Sequence, residues 1–552
     1  VCFGYRIGEF NVPTLSLPPT KPNTRIFKFG DSRNFRAPQV VAWRTHINGV
    51  INPYGDTQDS ESRVEGFQKR VAPLVDPIAN NILKHELVEE FGHYNMITII
   101  EWSSKGKINK ISPIEDLTVD TWLSKTDYTI SRKEELKRKE IQYCEFYDEK
   151  GKLIKKYIEV ACHSKFEPHV EFKFIRNINS RKDEFKVRTG PAFKVMEKDL
   201  FKNSEFIKKI PVTERAQFVY DRLYEPDAEY LETDYSSFEA LYTPNIIRAC
   251  ELQWYKWYTS SMEQGDEWYK LVEDCFVNNP NYITSRGFNA EVWGSRMSGE
   301  MCTSLGNSLT NLMLMKFVAH KSGVDVRGIV EGDDGLFRVI PKEKSTIREE
   351  YFAELGMVIK LERYNKLNMT SFCGLTFEFE TMQIITDPRR HLPKLFWIDA
   401  KYLSSNETTI DELFRAKCMS MMYSFPSCPI LRSVADYGLR MTQHITDKQL
   451  INRVNKYHRQ WEKEWMLKAI VDFQEKGYPK DLRCDNIYNA MEEKFKISVE
   501  MQKIVEEIFD SKNDTDPIDI PDIGFHPSFY QMYETYVKEI NVKDPNLRFN
   551  YI

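Results

Sequence analysis

The strongest constraint on this 552-residue chain is a stretch of eight residues, 330–337, that reads Val-Glu-Gly-Asp-Asp-Gly-Leu-Phe. Two adjacent carboxylates sit between short apolar, β-favouring runs, residues 326–331 on one side and 336–340 on the other. Such runs pair only if the chain reverses at the acids, and Gly332 and Gly335 are expected to supply the backbone freedom for that reversal. A hairpin of this kind presents Asp333 and Asp334 at its tip, within reach of a divalent cation. Neighbouring aspartates repel each other, so the tip is costly unless a cation or a base offsets the charge. Gly-Asp-Asp-Gly is also ordinary turn chemistry, and on its own the stretch does not decide between the two.

The neighbours do. Residues 229–240 read EYLETDYSSFEA and are followed by Thr243, a credible helix N-cap, and Pro244, suited to the first helical position. A periodic stretch over 245–257 predicts a helix, so Asp234 falls at the end of a strand just before it. Between the two acidic segments lie residues 298–311, SGEMCTSLGNSLTN. Ser298 and Gly299 open a flexible loop, and Thr303, Asn307 and Asn311 then recur at spacing four on one helical face. A polar stripe at that spacing is ordinarily solvated. Its position between two carboxylate strands favours a ligand-facing role.

In this order the three segments resemble the palm motifs of viral RNA-dependent RNA polymerases. The first is D-x4-D-like (Asp234, Glu239), the second S-G-x3-T-x3-N (Ser298, Gly299, Thr303, Asn307), and the third the G-D-D motif (Gly332, Asp333, Asp334). Residues 181–197, RKDEFKVRTGPAFKVME, are similar to the basic fingertip motif that precedes them, and residues 355–377 to the helix–strand motif and primer-grip hairpin that follow. Gly356, Lys360, Glu362, Phe372 and Cys373 resemble elements of positive-strand viruses of the tombusvirus and flavivirus type. The resemblance covers roughly residues 170–380.

It implies an α+β right-hand polymerase, with fingers, a palm of antiparallel sheet backed by helices, and a helical thumb, closed by an N-terminal extension of the fingers. On that reading residues 1–216 form the extension and fingers, with the basic fingertip motif at 171–198. The palm takes 217–384 with an inserted fingers segment at about 258–292, and the thumb takes 385–552.

The implied activity is RNA-directed RNA synthesis, the addition of NTPs to an RNA 3′ end in replication or transcription of a viral genome. That chemistry needs alignment and charge neutralisation more than covalent work from the protein. Two divalent ions, Mg²⁺ or Mn²⁺, about 3.5–4 Å apart serve it best, one activating the 3′-hydroxyl and one holding the triphosphate. By the resemblance Asp234 and Asp333 are the principal ligands, Asp334 an auxiliary one, and the Tyr235 carbonyl a further one. Arg181, Lys182, Arg188 and Lys194 are expected to meet the triphosphate, Lys194 standing where related polymerases often carry Arg. Glu239, Ser298 and Asn307 are expected to sense the ribose 2′-hydroxyl, with Thr303 supporting the loop or the neighbouring Asn. Glu239 departs from the usual Asp by one methylene. Lys360 aligns as a general acid for pyrophosphate, and Lys366 lies further along the same connection.

Bulk properties agree. Net charge is −5, but residues 171–198 carry eight Lys or Arg against four acids, a local +4 suited to phosphate. Ten cysteines show no C-x2-C pair, and Cys162, His163 and His169 form the one local Cys/His cluster, without an evident fourth zinc ligand. No apolar run approaches the ~18–20 residues of a membrane span. VCFGYRIGEF has neither an initiator Met nor a signal pattern, so Val1 is expected to mark a polyprotein product, a readthrough product or a trimmed chain. The expected setting is the host cytoplasm, in membrane-associated replication complexes held through other viral segments or proteins. RNA template, product strand, NTPs and other viral replication proteins are the expected partners.

Residues 1–50 read as a Pro-rich extended segment and 134–140 as a solvated charge run. Val454, Tyr457, Trp461, Trp465, Ala469 and Phe473 predict one buried face of a single long helix, and 510–523 an acidic loop. Two alternatives stay open. A reverse transcriptase shares the acidic pair but not SGEMCTSLGN or an acid at 239, and an inactive RNA-binding replication scaffold would not need every carboxylate.

Overall fold

The computed structural model describes residues 60–72, 83–169, 175–286, 288–340, 346–399, 404–457 and 460–525, the backbone of strands Thr24–Phe29 and Val40–Ala42, and positions 47, 48, 54, 57 and 402. Most of the Pro-rich segment 1–50, Lys173 of the basic run and the side chain of Trp461 lie outside the described residues.

A four-stranded antiparallel sheet organises the middle of the chain, in the order Ile359–Tyr364, Glu229–Tyr235, Asp334–Ile340, Asp325–Glu331. Strand alternation gives it two unlike faces. Leu231, Phe337, Val339 and Val330 point to one side and pack on the helix Thr303–Ser322 and its neighbours. Tyr230, Leu336 and Ile329 point to the other and join the core built with the helix Arg215–Leu223 and the C-terminal helices. That second face is not apolar throughout. Its end row carries Asp234, Asp334 and Glu331, and Glu232 and Glu362 stand in the next row beside Leu336 and Ile329.

The helix Thr303–Ser322 is buried on nearly every side, which explains why its polar residues do not form a solvated stripe. Its start is pinned by two buried ion pairs flanking the preceding loop: Arg181 with Glu300, at 2.6 Å, and Arg296 with Glu251. Ions removed from water in this way need a partner in close contact, so the loop has little freedom to swing. The helix ends at Gly323, whose φ of +71° makes the left-handed cap.

A five-stranded sheet runs Thr24–Phe29, Phe288–Val292, Asn281–Ser285, Val160–Ser164, Asn177–Arg181, antiparallel except where Val160–Ser164 meets Asn281–Ser285. Val40–Ala42 pairs instead with Trp397–Asp399, so the N-terminal region contributes strands to two separate sheets. A small hairpin sheet, Ser371–Phe372, Leu375–Glu378, Gln383–Ile385, follows the four-stranded sheet, and from Glu407 onward the described elements are helices.

Two expected helices are broken. The segment after Thr243 and Pro244 forms Pro244–Ala249, capped as expected by the Thr243 side chain, but resumes as Glu251–Thr259 beyond Cys250 at φ −116°, ψ −89°. The single helix expected over 454–473 is two, Asp447–Asn455 and Gln460–Lys476, so Val454 belongs to the earlier one. Trp465, expected in the core, is 39% exposed. No helix among the described residues is long and apolar enough to cross a membrane.

Candidate active site

The hairpin at 325–340 turns over two residues, Gly332 and Asp333, with Glu331 paired to Asp334. Gly332 has φ +65°, the conformation that a turn with glycine first requires. Gly335 does not serve the turn. It sits within the strand opposite Thr233, where a Cβ would lie 2.5 Å from the Phe337 ring and 2.6 Å from Thr233 Oγ1, so its role is close packing.

The same register puts Asp334 beside Asp234, one pair beyond Thr233 and Gly335, while Lys360 pairs with Asp234 from the other edge. Asp234, Asp333 and Asp334 line a single cavity of about 710 Å³ with Glu232, Glu362, Arg70, Arg176, Arg390, Lys394 and the turn at Cys373. Partial burial and the charge of Asp333, then of Glu331 and Asp234, push the Asp334 carboxyl up to about 6, against a smaller opposing bond from Cys373. Glu232 is also raised, mainly by burial, although it accepts from the Ser371 backbone N–H at 2.5 Å and hydroxyl at 3.0 Å.

Crowded carboxylate oxygens on rigid strands are the donor set of a hard divalent cation, and such an ion relieves the burial and like-charge crowding that raise the Asp334 carboxyl. The residues therefore fit Mg²⁺ or Mn²⁺ by chemistry. Among the described residues no three His, Cys, Asp or Glu side chains already stand as a closed ligand cage. Tyr235 ends its strand with a buried ring 4.4 Å from that of Phe238.

A smaller cavity of about 240 Å³ is lined by Glu239, Ser298 and Thr303, and Arg70 and Arg176 belong to both cavities. Glu239 Oε2 is buried with no hydrogen-bond partner among the described residues, and burial followed by Asp333 raises its carboxyl. Ser298 donates to the Asn177 carbonyl at 2.8 Å, and Thr303 to those of Met297 and Glu300 at 3.1 and 3.0 Å. Gly299 lies against the strand Asn177–Arg181, donating to Asn179 O at 2.9 Å, where a Cβ would come within 2.7 Å of that oxygen. Asn307, one turn into the helix, is buried with its Oδ1 unpaired among the described residues.

The basic residues depart from expectation. Arg181 occupies an inward strand position, where Glu300, Asn281 and the Ile158 carbonyl take up its guanidinium. Arg188 stacks 4.0 Å from the Tyr143 ring and donates to Gln264 at 2.7 Å in a different cavity. Lys182 lies 3.8 Å from Glu159 and Lys194 3.3 Å from Glu197, and neither lines the carboxylate cavity. The four belong to different elements: Arg181 ends the strand Asn177–Arg181, Lys182 precedes the helix Asp183–Leu200, and Arg188 and Lys194 lie within that helix, whose periodicity sets them at different points of its circumference. Lys360 is exposed and paired with Glu362, and Lys366 is exposed.

The cations that do face the acids were not singled out by the sequence reading. Arg176 lay within the counted basic run, and it pairs with Glu167 while feeling the charges of Glu239 and Asp333. Arg70, Arg390 and Lys394 carried no local signal.

Residues 211–477 match the sequence model of the viral RNA-dependent RNA polymerases. The RNA-directed RNA polymerase of maize chlorotic mottle virus is 31% identical over 119 residues, 20% of this chain and 12% of the viral protein. That of oat chlorotic stunt virus is 30% identical over 142 residues, 24% of this chain and 18% of the viral protein. The matched stretches thus span less than a fifth of either relative.

Proposed function

Because the chain belongs, through residues 211–477, to the viral RNA-dependent RNA polymerases, we propose that it copies RNA into RNA by adding ribonucleotides to a 3′ end. The observation that carries this reading is the shared cavity of Asp234, Asp333 and Asp334, faced by Arg70, Arg176, Arg390 and Lys394. Acids for cations and cations for phosphates meet in one space large enough for a nucleotide.

In this reading Asp234 and Asp333 hold the divalent ions and Asp334 supports them from the adjoining strand. When bound, the ions supply a more nucleophilic 3′-hydroxyl and a neutralised triphosphate. Arg176 and Arg70 orient the triphosphate, because they border both the carboxylate cavity and the smaller one. Glu239 accepts a hydrogen bond from the ribose 2′-hydroxyl, its unpaired buried oxygen having no other partner among the described residues. Ser298 shapes that wall of the cavity while its own proton is committed to Asn177. The four-stranded sheet acts as palm within 217–384, the N-terminal strands as the fingers extension within 1–216, and the C-terminal helices as thumb within 385–552.

Supplying RNA or DNA template with labelled ribo- or deoxyribonucleotides, with and without primer, tests the proposal. Ribonucleotide-dependent extension on RNA alone is the expected result. Extension by deoxyribonucleotides would favour a reverse transcriptase, and tight RNA binding without product a scaffold.

A further inference from the structure

The acidic turn is held from behind by a single helix. Asn311 Nδ2 donates to the carbonyl of Asp333 at 2.9 Å and to that of Gly332 at 3.2 Å, and Ser308 Oγ accepts from the Gly332 N–H at 2.8 Å. All the polar backbone atoms of Gly332 and the carbonyl of Asp333 are therefore tied to two side chains one helical turn apart. Both belong to the buried body of the helix Thr303–Ser322. The amide orientation is fixed by chemistry, since only an NH₂ group can face two carbonyl oxygens. Gly335 completes the fit: a Cβ there would lie 3.3 Å from Asn311 Nδ2 and 2.6 Å from Thr233 Oγ1, so the chain passes between these two side chains without room to spare.

A hairpin tip bearing adjacent carboxylates has reason to move. Asp234, Asp333 and Asp334 bring like charges together there, and a two-residue turn offers few bonds of its own to resist them. The direction of the Asp333 side chain follows from the peptide planes on either side of it. Those are the planes whose carbonyls Asn311 grips.

We propose that Asn311 and Ser308 are positioning residues that hold the Gly332–Asp333 turn in the orientation from which Asp333 takes a divalent cation. This rests on the polymerase reading above. Neither side chain touches substrate or ion. They fix the backbone from which the ligand projects, and that separates them from Thr303 on the cavity wall. Without the clamp the turn keeps its glycine and its acids but loses its orientation. The consequence is weaker divalent-cation binding rather than a lost fold, because the helix keeps its apolar packing through Leu305, Leu309, Leu312 and Met313.

Two measurements on the full chain test the clamp without relying on turnover. In metal-free protein, hydrogen exchange of the peptide spanning residues 329–337 should accelerate at least tenfold in Asn311→Ala and Ser308→Ala, with the segment 229–235 unchanged. Calorimetric titration with Mn²⁺ should show at least tenfold weaker binding in Asn311→Ala, with a melting temperature within a few degrees of the parent. Asn311→Asp turns an oxygen toward the two carbonyls and should weaken Mn²⁺ binding further. Equal exchange in all variants, or unchanged Mn²⁺ affinity with faster exchange, would overturn the clamp. A loss of affinity matched by exchange rising across the whole sheet would overturn it too, as plain destabilisation. Asp333→Ala is the reference. If it binds Mn²⁺ like the parent, the polymerase reading of the site fails; if it loses Mn²⁺ while Asn311→Ala does not, only the clamp fails.

Discussion

Asp234 and Asp334 stand side by side on neighbouring antiparallel strands, one pair beyond Thr233 and Gly335 and on the same face of the sheet. Like charges placed directly across strands destabilise a sheet. This sheet keeps them at the one end of its face that apolar packing leaves bare, with Asp333 in the adjoining turn.

Asp333→Ala and Asp234→Ala, made separately, should each abolish nucleotide addition, lowering kcat by about a thousandfold or more, while RNA affinity and melting temperature stay near those of the parent. On the proposed reading each change removes oxygens that would hold the cations, worth several kcal/mol at the transition state. Single-nucleotide extension in Mg²⁺ reads the effect, and near-parental turnover by either variant would remove that residue from the ligand set.

Asp334→Asn should raise the melting temperature of the metal-free protein at neutral pH. The Asp334 carboxyl sits near 6 in the folded chain against an ordinary 3.8. The folded state therefore holds the proton to higher pH than the unfolded one, and stability falls as pH rises from about 4 to about 6. The two proteins should melt together below about pH 4 and separate above it, with the variant higher. Asp334 is open to solvent within the cavity, so screening keeps the gap to a few degrees. Melts in chelator across pH 3.5 to 8 follow it, and an equal gap at every pH would contradict the charge account.

Arg176→Ala should raise KM for all four nucleotides alike by about tenfold to a hundredfold, the scale of one charge-assisted hydrogen bond to phosphate. Lys194→Glu should leave KM within about twofold, because its ammonium lies beside Glu197 and outside both cavities. Glu167→Gln separates a direct contact from an indirect one, since Glu167 is the carboxylate that Arg176 pairs with. If Glu167→Gln reproduces the Arg176→Ala profile, the arginine acts by organising the wall and not by meeting phosphate.

The acidic hairpin, the strand ending near Asp234 and the cap at Thr243 were legible because each rests on local rules: alternation, a glycine turn, an N-cap. The basic wall was not. Arg181 and Arg176 lie five residues apart in the same basic run, yet Arg181 is buried against Glu300 while Arg176 faces the acids. Arg181 is turned inward by Glu300, more than a hundred residues away, while Arg176 pairs with Glu167 only nine residues before it, and no local pattern distinguishes the two. Ser308 was hidden for a related reason. A small polar residue inside an apolar helix looks neutral until its partner, the Gly332 N–H, is known. Asn311 was placed on the right face by its spacing, but its target is backbone rather than a ligand.

Glu239 stands where the resemblance leads one to expect an aspartate, and the geometry makes its proposed role measurable. Its Oε2 is buried without a hydrogen-bond partner among the described residues, beside the Ser298 and Thr303 wall. An unpaired buried carboxylate oxygen is costly, and a ribose 2′-hydroxyl would offset that cost by donating to it. A charge-assisted bond of roughly 1.5–3 kcal/mol predicts that Glu239→Ala lowers the preference for ribonucleotides over deoxyribonucleotides about tenfold to a hundredfold. Glu239→Asp shortens the reach and should retain discrimination only if the backbone moves closer. That movement is restrained, because the Glu239 carbonyl accepts from the Arg296 N–H at 2.8 Å and the Ser295 hydroxyl at 3.2 Å. The variant should therefore fall between parent and alanine. A purely structural acid makes the opposite forecast: altered thermal stability with an unchanged ratio of kcat/KM for the two sugars. Burial already raises this carboxyl, so removing it should stabilise the metal-free protein at neutral pH, the effect fading as pH falls toward the ordinary glutamate range. Measuring melting temperature and the sugar ratio on the same preparation decides between them, and a ratio equal to the parent's would end the sugar-sensing role.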